Sequence, residues 1–261
     1  MKSAGEEGGI PASQGRFYVE RLPAEGETVE ILGAEAAHAA GSRRIRIGEI
    51  VTLFDGSGWD VKAEVVSAEK RTITLRRLSR AFVGRPFPVP VTCATALPKG
   101  AREDVLVSKC AELGVTRLAP LEFERSVVKP SVHWETRRER FVRLAVEAAK
   151  QSGASTVMDV APPVSFADFV KEPLAGLGVV GVPKADASLI DVLQARWAFD
   201  ALTYVVGPEG DLTPAEIDAA LAAGFVGVTI APTVLRVETA AIAFASLAAA
   251  FLAAKKERGA P

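Results

Sequence analysis

Cysteine and histidine are nearly absent from this sequence. Its 261 residues include two cysteines, Cys93 and Cys110, and two histidines, His38 and His133. Two cysteines cannot form a disulfide framework, and none of the four residues has the spacing of a zinc-ligand set. We therefore expect no disulfide scaffold and no metal centre.

Several catalytic motifs are missing as well. The chain has no G-x-x-x-x-G-K-[ST] phosphate loop and no G-x-S-x-G nucleophile elbow. One G-x-G-x-x-G spelling occurs, GLGVVG at 176–181, but its glycines flank an apolar run that is itself the predicted strand. A dinucleotide fingerprint needs a strand before it and a helix opening within it. The spelling therefore does not indicate a nucleotide site.

The chain also lacks a large net charge, since its formal charge is −1. The distribution is uneven: residues 81–150 carry 12 basic and 8 acidic groups, whereas residues 161–254 carry 4 basic and 10 acidic groups. Basic groups are further concentrated in RRIR (43–46) and KRTITLRRLSR (70–80). No global basic field indicates nucleic acid, but these clusters favour a positive face for RNA or phosphate.

Long hydrophobic runs are absent except for TAAIAFASLAAAFLAA at 239–254. Sixteen residues rich in alanine are short for a bilayer span, so a buried or interface helix is predicted and no membrane partner is expected. Residues 1–15 have neither the apolar core nor the basic start of a targeting segment, and we interpret them as a disordered extension. The expected compartment is the cytoplasm.

The signals that are present divide the chain. Residues 16–80 contain short β-like runs, a DGSG hairpin turn at 55–58 and one helical segment around AEAAHAAGS. These features predict a small β-barrel. The proline-rich stretch at 81–90 is typical of a linker.

From residue 91 to about 256, apolar strands alternate with amphipathic helices. VTCATAL (91–97) precedes a helix over 102–114, a long helix is predicted over 135–153, and strands follow at LGVVGVP (177–183) and LTYVVG. This alternation predicts a mostly parallel sheet covered on both faces. The predicted fold class is α/β, with a β-barrel followed by an α/β domain.

One strand-to-helix loop stands out, VVGPEGDLTPAEI at 205–217. Thr213 is a good N-cap, Pro214 suits the first helical position, and Glu216 completes a T-x-x-E capping box. The segment 207–211 is then a loop at the carboxyl edge of a parallel strand, where open α/β sheets bind ligands. A simple tight turn is the alternative on this loop alone.

Two further loops reach the same edge. VTIAPTVLRVETAAIAF (228–244) places the charges Arg236 and Glu238 in an apolar neighbourhood, with Thr239 as a possible cap of the last helix. Lys99 follows the strand at 91–97, and Lys109 lies on the next helix. For the two lysines, surface solubility is the alternative interpretation.

Taken in order, these segments resemble one family. ALPKG…KCAELGV…ERSVVK, EAAKQSG, VVGPEGDLTPAEI and LRVETAA, together with RFYV and the spacing of His38, Arg44 and Gly48, resemble the bacterial 16S rRNA (uracil-N3)-methyltransferases of the RsmE type, in the SPOUT superfamily. The likeness runs from about residue 16 to 252. It implies a PUA-like RNA-binding barrel at 16–80, a SPOUT methyltransferase domain at 91–256 with a C-terminal deep trefoil knot, and a homodimer.

The resemblance implies S-adenosyl-L-methionine as cofactor, held in the knot loops largely by backbone groups. The implied binding residues are Val182, Gly207, Pro208, Glu209, Gly210, Ile230, Pro232, Leu235, Arg236 and Thr239. Two positions depart from the family pattern, because Asp211 stands where glycine commonly follows GPEG, and Ala154 stands where a base commonly follows QSG.

For the reaction, Arg236 is the predicted catalytic group that stabilises charge on the uracil ring, and Glu209 or Glu238 could assist removal of the N3 proton. The RNA, as 16S rRNA or the 30S subunit, is expected to contact basic residues: Arg16, Arg43, Arg44, Arg46, Lys99, Lys109 and Arg125. A non-catalytic RNA-binding protein, or a methyltransferase acting on ribose 2′-O or on tRNA, are the alternatives.

Overall fold

The computed structural model describes residues 15–41, 44–79, 82–83, 87 and 89–257. The chain divides into two compact units, one formed by Met1–Gly84 with Ala149–Thr156 and the other by Arg85–Ala148 with Val157–Pro261. Each unit has its own hydrophobic core. Nearly all of the predicted disordered extension, residues 1–14, falls outside the described residues.

The first unit is built on a mixed six-stranded sheet. Its path is β1-β3-β4-β5-β2, with β6 paired to β4; β1 runs parallel to β3 and the other pairs are antiparallel. The described pairing is an open path, so closure into a barrel stays a prediction. The elements are β1 Arg16–Tyr18, β2 Thr28–Leu32, α1 Gly33–Gly41, β3 Ile50–Phe54, β4 Trp59–Ala68, β5 Thr72–Arg77 and β6 Phe82–Val83.

Alternation along β4 explains how this sheet builds a core, because Val61, Ala63 and Val65 are buried on one face. The predicted DGSG hairpin joins β3 to β4, and its two glycines have positive φ. The sequence interpretation missed β2, and it assigned Phe82–Val83 to a linker although these residues pair with the start of β4.

The second unit alternates strands and helices as predicted. Its elements are β7 Val91–Thr95, α2 Arg102–Glu112, β8 Arg117–Glu122, α3 Trp134–Ser152, β9 Asp159–Val160, β10 Val164–Ser165, α4 Phe166–Phe169, β11 Leu177–Gly181, α5 Leu189–Ala195, β12 Leu202–Val206, α6 Pro214–Ala222, β13 Val226–Val228 and α7 Val237–Glu257. The short helix α5 was not foreseen.

Every pairing in this sheet is parallel, which confirms the predicted topology. The order is β10-β8-β7-β12-β11-β13, with β9 paired to β8. The carboxyl ends of β7, β12, β11 and β13 therefore lie along one edge. The side chains on the loops that follow these four strands therefore lie close together at that edge.

Helix α7 packs on this sheet through one stripe. Ala241, Phe244, Ala245 and Ala248 are buried, and the Phe244 ring stacks on Tyr204 of β12 at 5.2 Å between centroids. The window Val237–Ala254 is long and apolar enough to cross a membrane by length and composition, yet its buried stripe belongs to the unit's core. The predicted burial of this helix is confirmed for the face that carries this stripe.

The glycines of GLGVVG serve packing. Gly178 and Gly181 lie in β11, and a Cβ on Gly178 would come within 2.6 Å of the Leu174 side chain. Gly176 has φ of 68° and lies against the backbone of Ala201, where a Cβ would clash. The spelling therefore reflects a strand pressed against its neighbours, as the sequence predicted.

A buried carboxylate ties α2 to α3. Glu103 is 3% exposed and forms ion pairs with Arg140 and, at 3.5 Å, with Arg137 Nε. Burial raises the pKa of Glu103, against the opposing effect of the two guanidinium groups. Because the folded pKa exceeds the unfolded one, this carboxyl contributes stability at low pH that is lost as pH rises through the folded pKa.

Replacing Glu103 with Gln removes this titration. As pH is raised from 4.5, the ordinary pKa of the group, through its higher folded pKa, the unfolding free energy of Glu103→Gln should rise relative to that of the wild type. Urea unfolding at a series of pH values measures the difference. Val105→Ala, at an exposed position on the same helix, should differ from wild type by a constant amount. A difference for Glu103→Gln that falls with pH would contradict the assignment.

Candidate active site

A cavity of about 370 Å³ opens at the carboxyl edge of the second unit's sheet. Its walls are the three loops that follow β11, β12 and β13, together with the start of α7. Its lining is mostly apolar: Gly181, Val182, Pro183, Lys184, Val206, Gly207, Pro208, Asp211, Leu212, Ile217, Val228, Thr229, Ile230, Ala231, Thr233, Val234, Leu235, Val237, Ala240 and Phe244.

The loop after β12 turns tightly beneath this cavity. Asp211 has φ of 57°, and its backbone N–H donates to the Pro208 carbonyl at 3.0 Å. Gly210 approaches the neighbouring loop so closely that a Cβ there would be 3.0 Å from Arg125 Cβ. A side chain at 210 would therefore have to displace Arg125 by a few tenths of an ångström.

The predicted capping box follows this loop. The Thr213 side chain accepts from the Glu216 N–H at 3.2 Å, and Glu216 Oε2 accepts from the Thr213 N–H at 2.8 Å. Glu216 also accepts, through Oε1, from the backbone N–H of Glu124 at 2.9 Å. The cap thus anchors the loop after β8 as well as the helix start.

Arg125 contacts the same loop from the other side. Its Nη1 donates to the Gly210 carbonyl at 3.1 Å, although the residue as a whole is exposed. The sequence interpretation placed Arg125 on an RNA phosphate. In the structure it supports the Gly207–Gly210 segment, a contact that spacing along the chain could not indicate.

The loop after β13 leads into α7, which begins at Val237, three residues earlier than a cap at Thr239 would place it. Helix α7 starts at Val237, so Thr239 is an exposed residue inside its first turn. The prediction that Thr239 caps this helix is wrong, because the cap position precedes Val237. The Thr229 hydroxyl donates to the Ala231 carbonyl at 3.1 Å and shapes the loop instead.

The predicted cofactor residues divide into two groups. Those that line the cavity are Val182, Gly207, Pro208, Ile230 and Leu235. Within the part of the chain that the structure describes, the cavity lining does not include Glu209, Gly210, Pro232, Arg236 or Thr239. Four members of the second group lie on the loops after β12 and β13, and Thr239 lies in the first turn of α7.

The two predicted catalytic carboxylates, Glu209 and Glu238, both form ion pairs with Arg102, which was not predicted as a site residue. Arg102, at the start of α2, lies 3.5 Å from Glu209 Oε1 through Nη2 and 3.6 Å from Glu238 Oε2 through Nη1. The Glu238 side chain is 11% exposed, and its Oε2 has no hydrogen bond. One guanidinium therefore pairs with two carboxylates, one on the loop after β12 and one in the first turn of α7. The available signal was a base just after β7, at the edge where the other loops meet.

Arg236 differs from these carboxylates. It is exposed, and within the described residues its guanidinium has no ion pair or hydrogen bond. Its backbone carbonyl accepts from the Ala240 N–H at 2.8 Å, as expected just before a helix. Within the part of the chain that the structure describes, a permanent cation thus lies beside the cavity without a protein partner.

The predicted RNA-binding residues are placed unequally. Arg16 is corrected: its side chain is 10% exposed, pairs with Asp60 at 2.7 Å and donates to the Ala154 carbonyl at 2.9 Å, so its guanidinium is occupied. Arg44 and Arg46 are exposed in the first unit, and Arg43 lies outside the described residues. Lys99 is exposed after β7, and Lys109 is paired with Glu112 at 2.7 Å.

Metal chemistry has no visible ligand set in this region. Among the residues that the structure describes, no group of three or more metal-ligating side chains occurs. Cys93 and Cys110 are both free and buried in the core.

Comparison with known proteins defines the class. Residues 85–249 match the family model of an RNA methyltransferase domain, and residues 31–76 match that of an RNA methyltransferase PUA domain. The chain belongs to the RNA methyltransferase family, with a PUA-like domain in its N-terminal part. This match confirms the predicted mixed α/β fold at the level of its two domains.

Relatives narrow the family further. Ribosomal RNA small subunit methyltransferase E of Mycobacterium bovis is 33% identical over 235 residues, which cover 86% of this chain and 87% of that protein. A solved structure of the enzyme of that name from Neisseria gonorrhoeae, bound to S-adenosyl methionine, is 29% identical with a TM-score of 0.80, over 90% of this chain and 96% of that one. A methyltransferase from Legionella pneumophila, solved with the cofactor SAM, is 27% identical with a TM-score of 0.80, over 92% and 97% of the two chains.

The charge cluster around Arg102 has a measurable energetic signature. Arg102→Leu leaves Glu238 buried without a cation, so it should lower the free energy of unfolding by about 1–3 kcal/mol. In a double-mutant cycle, Glu238→Gln should recover part of that loss, with a coupling of about 1 kcal/mol. Urea unfolding gives the four values.

Glu209→Gln is the matched control for this cycle. The Glu209 side chain is 32% exposed, so solvent screens it and its coupling to Arg102 should be the smaller of the two. Zero coupling between Arg102 and Glu238 would show that the arginine does not stabilise the buried carboxylate.

Proposed function

We propose that this protein transfers a methyl group from S-adenosyl-L-methionine to N3 of a specific uridine in 16S ribosomal RNA, during maturation of the small subunit. The observation that carries the proposal is the 370 Å³ cavity at the carboxyl edge of the parallel sheet. Residues from three of the predicted cofactor segments, Val182, Gly207 and Ile230, line it. The two relatives solved with S-adenosyl methionine support the choice of cofactor.

The cavity suits a ligand of this chemistry. Its volume falls in the range of about 300–1,000 Å³ that is usual for small-molecule sites. Apolar side chains such as Leu212 and Phe244 can cover an adenine ring, and the loop backbone offers polar groups around it. When bound, the cofactor supplies an electrophilic methyl group. The residues of this chain hold it, exclude water and position the base.

Arg236 is proposed as the group that supports charge on the uracil. Removal of the N3 proton leaves negative charge on the ring, and a permanently cationic guanidinium stabilises it without a proton transfer of its own. Its exposed position beside the cavity, without a protein partner among the described residues, supports this role.

Glu209 and Glu238 are proposed to assist proton removal. Glu209 is the more accessible of the two, with a side chain 32% exposed against 11% for Glu238. Arg102 pairs with both carboxylates and so keeps them close to each other. We therefore assign proton transfer to Glu209 and a supporting role to Glu238.

RNA binding is proposed for exposed bases in both units. Arg44 and Arg46 lie in the part of the chain with the PUA-like match, and Lys99 lies at the sheet edge that carries the cavity. The substrate is 16S rRNA or the 30S subunit in the cytoplasm. The target uridine leaves its stack to reach the cavity, because chemistry at N3 is blocked inside a paired helix.

The finer architecture is also part of the proposal. We assign the PUA-like domain to 16–80 extended by β6, the methyltransferase domain to 91–256, and the segment after β13 to the deep trefoil knot of the SPOUT superfamily. The parallel sheet order and the TM-scores of 0.80 support the knot. An experimental chain trace in which α7 passes outside the preceding loops would contradict it.

Arg236→Ala provides the test of function. In a strain without this protein, 3-methyluridine should be missing from 16S rRNA; wild type should restore it and Arg236→Ala should not. Mass mapping of rRNA nucleosides measures this, and calorimetry should show that the variant binds S-adenosyl-L-methionine within about tenfold of wild type.

Arg196→Ala is the control, since Arg196 is the nearest other arginine in this part of the sequence and is exposed after α5. Methylation by Arg236→Ala near the wild-type level would overturn the role of that residue. A protein that binds RNA without taking up the cofactor would instead be a non-catalytic binder, and a missing 2′-O-methyl or tRNA mark would indicate another specificity.

A homodimer is proposed through a second face of α7. Ile242, Ser246 and Ala249 follow helical spacing beside the buried stripe and are partly exposed, so a second copy can cover them. Ser246→Arg should shift the protein to monomers in sedimentation velocity, whereas Ala222→Arg, on the exposed side of α6, should not. A monomeric wild type would contradict the proposal.

A further inference from the structure

Two charged residues line the cavity, and both have unusual backbone conformations. Within the described part of the chain, four residues other than glycine have positive φ, and two of them are Lys184, at 100°, and Asp211, at 57°. The same two are the charged members of the cavity lining, whose other residues are apolar or uncharged. Lys184 and Asp211 therefore each combine a strained backbone with a charge that faces the cavity.

The strain argues that these side chains are needed where they are. Positive φ disfavours a residue with a Cβ, and bulky side chains suffer most. Glycine adopts this conformation freely, whereas Asp211 carries a Cβ. An aspartate there costs stability, so a compensating interaction of its carboxylate is expected.

The residues that the structure describes do not supply that interaction. Among the described residues, neither the Asp211 carboxylate nor the Lys184 ammonium forms a hydrogen bond or an ion pair. The backbone of Asp211 is satisfied through Pro208, which leaves its side chain free. Both side chains are exposed at the cavity, so a ligand can reach them.

Topology brings the two residues to the same side of the sheet. Lys184 follows β11 and Asp211 follows β12, and these neighbouring strands are paired in parallel from Leu177↔Leu202 to Val180↔Val205. Their loops therefore leave the sheet side by side. The cavity offers one cation and one anion next to an apolar wall.

We propose that Asp211 and Lys184 bind the amino-acid end of S-adenosyl-L-methionine, a role that rests on the proposed function. Near pH 7 this end of the cofactor is a zwitterion. The Asp211 carboxylate accepts from its α-ammonium group, and the Lys184 ammonium donates to its α-carboxylate. The uncharged adenosine then occupies the apolar part of the cavity.

The test is calorimetry of the full chain with three ligands. S-Adenosyl-L-methionine carries both charges, its decarboxylated analogue lacks the carboxylate, and 5′-methylthioadenosine lacks the whole amino-acid end. Asp211→Asn removes the charge but keeps a residue that tolerates positive φ, and Lys184→Gln removes the other charge.

We expect Asp211→Asn to weaken S-adenosyl-L-methionine binding about tenfold and to leave 5′-methylthioadenosine binding unchanged. Lys184→Gln should weaken S-adenosyl-L-methionine binding about tenfold and leave the decarboxylated analogue unchanged. Asp218→Asn, an exposed aspartate on α6 outside the cavity lining, is the matched control and should bind all three ligands as wild type does.

Two results would overturn the assignment while the proposed function stands. One is wild-type affinity for S-adenosyl-L-methionine in both variants. The other is an equal loss for the charged ligand and for 5′-methylthioadenosine, which would mean that the residues act through loop shape. If wild type itself binds neither ligand, the proposed function fails, and this assignment fails with it.

Discussion

All strands of the second unit's sheet run in one direction, and the site depends on that constraint. In a parallel sheet the carboxyl ends share an edge, so residues distant in sequence are forced into proximity. The loops after β7, β11, β12 and β13 come from positions 96 to 236 and meet there. The cavity forms where the loops after β11, β12 and β13 meet the start of α7.

Proximity alone does not fix the conformations of these loops. Two arginines hold them in place through side-chain contacts. Arg125 fixes the Gly210 carbonyl from the loop after β8, and Arg102 joins Glu209 to Glu238 from the start of α2. Each holds a loop that carries no regular hydrogen-bond ladder of its own. The acidic C-terminal third of the chain thus receives its compensating charge from the basic middle. The uneven charge distribution seen in the sequence is explained in part by contacts inside the fold.

Periodicity and capping chemistry predicted much of this structure, because they act locally. The parallel sheet, the DGSG hairpin and the Thr213–Glu216 capping box all follow from residues near each other in sequence. The role of Arg102 and the burial of Arg16 by Asp60 depend on residues that are far apart, so spacing could not reveal them. Strand β2 was missed because its TVEIL run is short and mostly exposed. Of the ten cofactor residues that the family resemblance implied, five line the cavity, and local geometry that the resemblance does not encode separates them from the other five.

Helix α7 contributes Val237, Ala240 and Phe244 to the cavity wall, and it is synthesised after every other wall. A nascent chain that ends before α7 has the three loops that line the cavity but lacks the wall that α7 supplies. Binding free energy therefore becomes available to stabilise the fold only once α7 has docked. Until then the buried stripe of α7 and the sheet surface that receives it are both exposed apolar surface. Docking of this helix therefore covers that apolar surface and completes the cavity in the same step.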